Sequence, residues 1–213
     1  MTAPAPRVYR SELRARQAKE TRARIVAAAA ELFASQGYQA TTIAAIARSA
    51  GVSAETVKNT ASKAELLIAA FETTFSGSEA AESLTETEVG SGLLDLPDEQ
   101  FLDAVVSRIT VANARGHALW TVLLGAALSD PIVDTALQGI LAHRRIDLAG
   151  LVDELIRRGI AADLPDADAA AAAISFLLSP ESYQQLVAQS AWSEERYTAW
   201  LRTAVLAEVS RGK

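Results

Sequence analysis

Apolar residues recur along this chain at the spacing of helix faces, with no stretch of the strict alternation that marks a half-buried strand. Ile25, Ala29, Leu32 and Phe33 fall on one stripe of an amphipathic helix that begins near Ser11 and stops at Gly37. Residues 1–10, with Pro4 and Pro6, are expected to form a disordered polar arm. Three short helical segments come after Gly37. Thr41 or Thr42 caps the first, which carries Ile43, Ile46 and Ala47 and is broken by Gly51. Ser53 caps the second, around Val57. Ser62 and Glu65 open the third at capping-box spacing, before Leu66, Leu67 and Phe71.

Residues 76–97 lose this regularity. The stretch is acidic and Gly/Ser-bearing, and it is expected to be a mobile linker with room for one helical turn. Longer helices return after Pro97. Phe101, Val105, Ile109 and Ala112 share a face, and Gly116 is expected to separate this helix from the segment around Trp120. Asp130-Pro131 reads as an N-cap with proline at the first helical position. The helix it starts runs to Gly159, about 28 residues or roughly 40 Å. Asp166 begins an alanine-rich helix through Phe176, Pro180 begins another with Tyr183, and Ser193 caps the last, with Tyr197 and Trp200. The predicted class is all-α.

Two short helices around a glycine-containing turn describe a helix-turn-helix. Here the first spans about Thr42–Ser49, the turn is Ala50-Gly51-Val52, and the second spans about Ser53–Thr60. Gly51 supplies the positive φ that the turn requires. The second helix would expose Ala54, Glu55, Lys58 and Asn59 toward a major groove, with Thr42, Ser53, Thr56 and Lys63 at its margins. Asn pairs with adenine and Lys with guanine or phosphate, and both helix N-termini offer amides to phosphates. Charge supports this placement. The chain carries a net −6, yet residues 1–65 hold ten Lys/Arg against five Asp/Glu, while the remainder holds ten against 21. A basic end on an acidic chain points to a polyanion partner, although a solvated basic tail would read the same way.

Residues 21–71 carry the pieces of a known pattern. Arg24-Ile25 leads into Ala28, Ala29, Leu32 and Phe33. Then come Gly37-Tyr38, Thr41-Thr42-Ile43, Ile46-Ala47, Ala50-Gly51-Val52-Ser53, Thr56-Val57, and Ser62-Lys63 before Leu66-Leu67. This segment resembles the N-terminal domain of the tetracycline-repressor (TetR) family. The resemblance implies an all-helical homodimer. Its N-terminal three-helix bundle with the helix-turn-helix, residues 11–66, would bind a double-stranded DNA operator. A larger C-terminal helical domain, residues 67–213, would hold a small-molecule effector and dimerise through the last two long helices. Ser179 to Val209 resembles the closing helices of many members. The family implies a repressor released from a near-palindromic operator by its effector. The sequence departs from the pattern at Lys58-Asn59-Thr60-Ala61, which is one residue short and lacks both the usual Tyr and the usual Phe. Either the recognition helix itself is shortened, rotating the residues after the deletion by about 100°, or the turn before Ser62 absorbs the loss and Lys58 takes the Tyr site. The alternative function is therefore a ligand- or protein-binding module of the same fold with weak or lost DNA binding.

Other chemistry is thin. The chain has no cysteine, and His117 and His143 have no carboxylate at ligand spacing, so no metal site and no cofactor are expected. No phosphate-cradling loop, nucleophile elbow or HExxH motif occurs, which argues against an enzyme. No apolar run is long enough to span a membrane and no secretory signal is read, so a cytoplasmic protein is expected. For an effector pocket, the candidates are Phe101, His117, Trp120, Phe176 and Tyr183, each of which ordinary core packing would also explain. His143-Arg144-Arg145 interrupts an otherwise apolar helix. It reads as a solvated face, a salt-bridge set or polar groups entering a pocket.

Overall fold

The computed structural model describes residues 7–162 and 164–210, and among these every regular element is helical. Helix α1 spans Arg7–Ala40, with Gly37 at φ 77° where the stop was expected, so the last three residues form a separate turn. The helix thus starts at Arg7 rather than Ser11, while Pro4 and Pro6 lie outside the described residues. Helices α2 (Ile43–Ala50), α3 (Ala54–Thr60) and α4 (Lys63–Ser76) come next. Each begins where a short hydroxyl side chain takes an orphan amide. Thr42 accepts from Ala45 N, Ser53 from Thr56 N, and Ser62 from Glu65 N within a complete capping box.

Helix α5 (Asp98–Ala127) passes unbroken through Gly116, contrary to the expected boundary. The glycine is there for packing. A Cβ at this position would stand 3.0 Å from Phe75 Cδ2 of α4. Helix α6 (Pro131–Arg157) starts as expected, with Asp130 accepting from the Ile132 and Val133 amides. Helices α7 (Ala167–Leu177), α8 (Pro180–Tyr183) and α9 (Glu194–Val209) complete the chain, and α8 continues into a π-helical stretch, Gln184–Gln189.

Two apolar cores result. The first joins Ile25, Phe33, Ile46, Val57 and Leu67 of α1–α4 to Trp120 and Leu123 of α5 and to Val133 and Leu137 of α6. The second gathers Phe101, Val105, Leu155, Ile174, Tyr197 and Val205 from α5, α6, α7 and α9. The N-terminal helices therefore share a core with the hairpin of α5 and α6.

Residues 77–97 do not behave as a linker. They contain a 3-10 turn, Leu84–Glu86, and bury Val89 and Leu93 in the second core. Arg158, whose side chain is 2% exposed, donates to the Leu94 and Leu96 carbonyls at 2.7 Å, reaches Asp98 at 3.0 Å and lies over the Phe101 ring. Glu154 binds the same guanidinium and that of Arg157. These hydrogen bonds, Arg157's foremost, hold its carboxyl down at about 2.

Candidate nucleic-acid interface and cavity

Gly51 adopts φ 67°, and the Val52 amide returns to the Ala47 carbonyl at 3.0 Å, closing the tight turn between α2 and α3. Val57 is fully buried beneath α3, and Ala61 is buried just past its end. The opposite face leaves Ser53, Ala54, Glu55, Lys58 and Asn59 exposed, and Thr42 is exposed at the start of α2. These side chains share one surface. Thr56 is turned inward by comparison. It is half-buried, and its hydroxyl meets that of Ser53 at 2.8 Å. Helix α3 runs unbroken to Thr60, whose hydroxyl bonds back to the Thr56 carbonyl at 2.7 Å, and only the extended Ala61 separates it from Ser62. The short segment is therefore accommodated in the turn, without a break in the helix.

Lys63 is drawn away from the exposed face. Its Nζ sits 4.3 Å above the Tyr38 ring, and burial lowers its pKa from the ordinary lysine value while Asp130 opposes this. Tyr38 donates its hydroxyl proton to Asp130 Oδ2 at 2.6 Å. Burial, reinforced by that bond, pushes the phenol above its usual range, and the same bond holds the Asp130 carboxyl below its own. The N-terminus of α6 is thus tied to the end of α1. A second tie runs through Arg22. Its Nη2 meets Glu79 Oε2 at 2.6 Å, and its Nη1 donates to the Thr60 carbonyl at the end of α3 at 3.4 Å.

Beyond these ties lies a cavity of about 520 Å³, walled by Phe71 and Phe75 of α4, Phe101 and Trp120 of α5, and Ile140 and Arg144 of α6. Residues 78–94 roof it. Asp147 of α6 fastens the roof by accepting from Ser83 Oγ at 2.6 Å and from the Leu84 amide at 3.1 Å. Glu72 fastens the other end by accepting from the Ala80 amide at 2.9 Å, and burial raises its carboxyl above the usual range. The size falls within the roughly 300–1,000 Å³ of small-molecule sites, and the walls are mainly apolar as such sites require.

Of the five pocket candidates, Phe101 and Trp120 line this cavity, whereas His117, Tyr183 and Phe176 lie outside it. His117 is bound to Gln184 and stacked on Tyr183, and Tyr183 donates to Glu194 Oε1 at 2.7 Å. Both knit α5 to the start of α9. Phe176 is 61% exposed on the outer face of α7. Sequence reasoning missed Phe71, Phe75, Glu72 and Asp147, and the cross-chain pairs Tyr38–Asp130 and Arg22–Glu79. The run His143-Arg144-Arg145 splits. Arg144 is withdrawn into the cavity wall, His143 lies at its edge and Arg145 is exposed. Among the described residues no group of three or more His, Asp or Glu is placed to hold a metal, and no helix is long and apolar enough to cross a membrane.

Residues 25–70 match the family described as bacterial regulatory proteins, tetR family. Among solved structures the chain is similar to a proposed transcriptional regulator from Pseudomonas aeruginosa PAO1, at 19% identity and a TM-score of 0.66 over 88% of this chain and 89% of that one. It is similar to a HlyIIR mutant carrying a GSSGSSG linker, at 14% identity and a TM-score of 0.60 over 91% and 97% of the two chains. It is also similar to the fatty acid degradation regulator FadR from Bacillus halodurans, at 20% identity and a TM-score of 0.58 over 86% and 96%. No curated protein sequence matches. Residues 25–70 are thus a TetR-family N-terminal domain, and the chain has the all-α fold of TetR-family transcriptional regulators, which supports DNA-binding regulation.

Proposed function

We propose that this chain is a homodimeric, ligand-responsive DNA-binding repressor. In this reading residues 11–66 bind an operator and residues 67–213 bind an effector and dimerise. The recognition surface is Ser53, Ala54, Glu55, Lys58 and Asn59 on α3, flanked by Thr42, Thr56 and Lys63. A two-fold dimer sets two such helices roughly 34–36 Å apart, so that each reads half of a near-palindrome. The dimer surface is assigned to the closing helices, α8 with its π-helical extension and α9, with exposed Phe176 beside them on α7.

The observation that carries the proposal is the pair of ties between cavity and helix-turn-helix. Asp130 begins the helix that supplies Ile140 and Arg144 to the wall, and it holds Tyr38. Glu79 belongs to the segment that roofs the cavity, and through Arg22 it holds the end of the recognition helix. An effector that moves α6 or the roof changes the set of α3 and weakens operator binding. Linkage then requires the operator to weaken effector binding by the same factor. The test uses a small molecule that raises the melting temperature of the protein, titrated into the protein with and without saturating operator. Unequal affinities, matched by the reciprocal change in operator affinity, are expected. Equal affinities would refute the coupling.

The alternative, a ligand-binding module that has lost DNA binding, draws on the absence of both aromatics from the segment 58–61. It predicts a folded dimer that binds small molecules and enriches no duplex.

A further inference from the structure

The polar groups at the cavity wall divide by whether their partners are already present. The carboxylates are satisfied. Glu72 holds the Ala80 amide, Asp147 holds Ser83 and Leu84, and Glu154 holds Arg157 and Arg158. Two donors are not. Trp120 is 2% exposed, and its indole N–H is buried with no acceptor among the described residues. Arg144 has a side chain 19% exposed. Its one close partner is the Ser175 carbonyl, and Glu181 stands 3.9 Å away, too far for a hydrogen bond. Burial lowers the pKa of this guanidinium, with Glu181 only partly restoring it. A buried cation so weakly compensated favours an anion beside it, and a buried N–H without an acceptor favours an oxygen.

Both donors face the same apolar space. Helices α5 and α6 form a hairpin about Ser129, with Trp120 nine residues before it and Arg144 fifteen after it. The offset of six residues puts them roughly 9 Å apart along the hairpin. Between and beside them stand Phe71, Phe75, Phe101 and Ile140. Glu72 lies on α4 between the two phenylalanine turns, which disfavours an anion at that end.

We infer that the cavity takes an apolar carboxylic acid, bound as its carboxylate by Arg144, with the Trp120 N–H available to an oxygen of the same molecule. This rests on reading the cavity as a ligand site and adds the chemistry of the ligand. A guanidinium pairs with a carboxylate through two parallel N–H donors, an arrangement that a neutral or cationic head cannot reproduce. The apolar walls supply affinity without selecting a head group, so the discrimination lies in Arg144.

The experiment compares three probes of one chain length and different heads, decanoate, decan-1-ol and decyltrimethylammonium, by calorimetric titration of the full-length protein. Decanoate is expected to bind at least about tenfold more tightly than the alcohol, the factor a charge-assisted pair contributes over a neutral one, with the ammonium weakest. The Arg144→Gln variant should bring decanoate and the alcohol to similar affinities, and Arg144→Lys should keep part of the difference. The ranking of the three probes on the unaltered protein decides the matter even if Arg144→Gln does not fold. Binding of the alcohol or the ammonium as tightly as decanoate overturns the head-group assignment while leaving a ligand cavity in place. Binding of none of the three overturns the assignment and the ligand-site reading together.

Discussion

The Tyr38–Asp130 hydrogen bond is the shortest physical route from the cavity helix α6 to the helix-turn-helix, and its strength can be measured by a double-mutant cycle. Tyr38→Phe removes a 2.6 Å bond to a carboxylate and changes almost nothing else. Asp130 keeps the Ile132 and Val133 amides, so no buried charge is stranded. For a half-buried pair the loss should be roughly 1–2 kcal/mol. Asp130→Ala removes the same bond and also the cap of α6, worth about 1 kcal/mol more, for a total of roughly 2–3 kcal/mol. Independent effects would sum to roughly 3–5 kcal/mol in the double variant, but because both substitutions break one bond, the double should cost no more than Asp130→Ala alone. The assay is urea unfolding at a single fixed protein concentration, since the stability of an oligomer depends on concentration. The pH dependence adds a second check. Asp130 titrates below its ordinary value in the folded state, so the coupling is fully present above about pH 3.9 and is lost as the pH falls through the folded value. Additive penalties, or a coupling that grows on acidification, would refute the tie.

Three further outcomes are expected. Gly90→Ala places a Cβ about 2.3 Å from the Leu84 carbonyl oxygen, backbone that cannot swing aside. It should destabilise the protein by roughly 1–3 kcal/mol in the same unfolding assay and weaken binding in the cavity it roofs. Lys58→Ala should weaken operator binding similarly across sequences and reduce the slope of log affinity against log salt by about 1, whereas a Lys58 that reads a base would change the preferred sequence. Glu154→Gln should flatten the acid limb of the stability curve. With a folded value of about 2, Glu154 contributes stability above its ordinary value of about 4.3 that is lost as the pH falls toward 2, and urea melts between about pH 5 and 3 would show the difference.

The sequence was most legible where a local rule has a local cause. Thr42, Ser53, Ser62, Asp130, Asp166 and Ser193 each cap the helix they precede, and Gly37, Gly51 and Gly159 each take a positive φ at a helix end. Gly116 misled because a glycine that ends a helix and one that lets Phe75 approach look the same in one dimension. Residues 76–97 misled for a related reason. Their composition is that of a linker, and the contacts that fix them come from Arg158 and Asp147, some 60 residues later. The pocket candidates were chosen by side-chain type, which does not say which face of a helix meets empty space. Trp120 and Phe101 face the cavity, Tyr183 and His117 face α8 and α9, and Phe176 faces out. Arg144 and Arg145 are adjacent in the chain, yet one lines the cavity and the other is exposed, a distinction that only the rotation of α6 against its neighbours makes.

The central claim is that α3, short of the usual aromatics, still reads DNA. Selection of bound duplexes from a random pool by the purified dimer, with affinity then measured at two salt concentrations, tests it directly. The expected product is an inverted repeat whose half-sites lie one helical turn or a multiple apart, bound more weakly as salt rises. A folded dimer that enriches no sequence would contradict the claim and leave the ligand-binding module as the function of this fold.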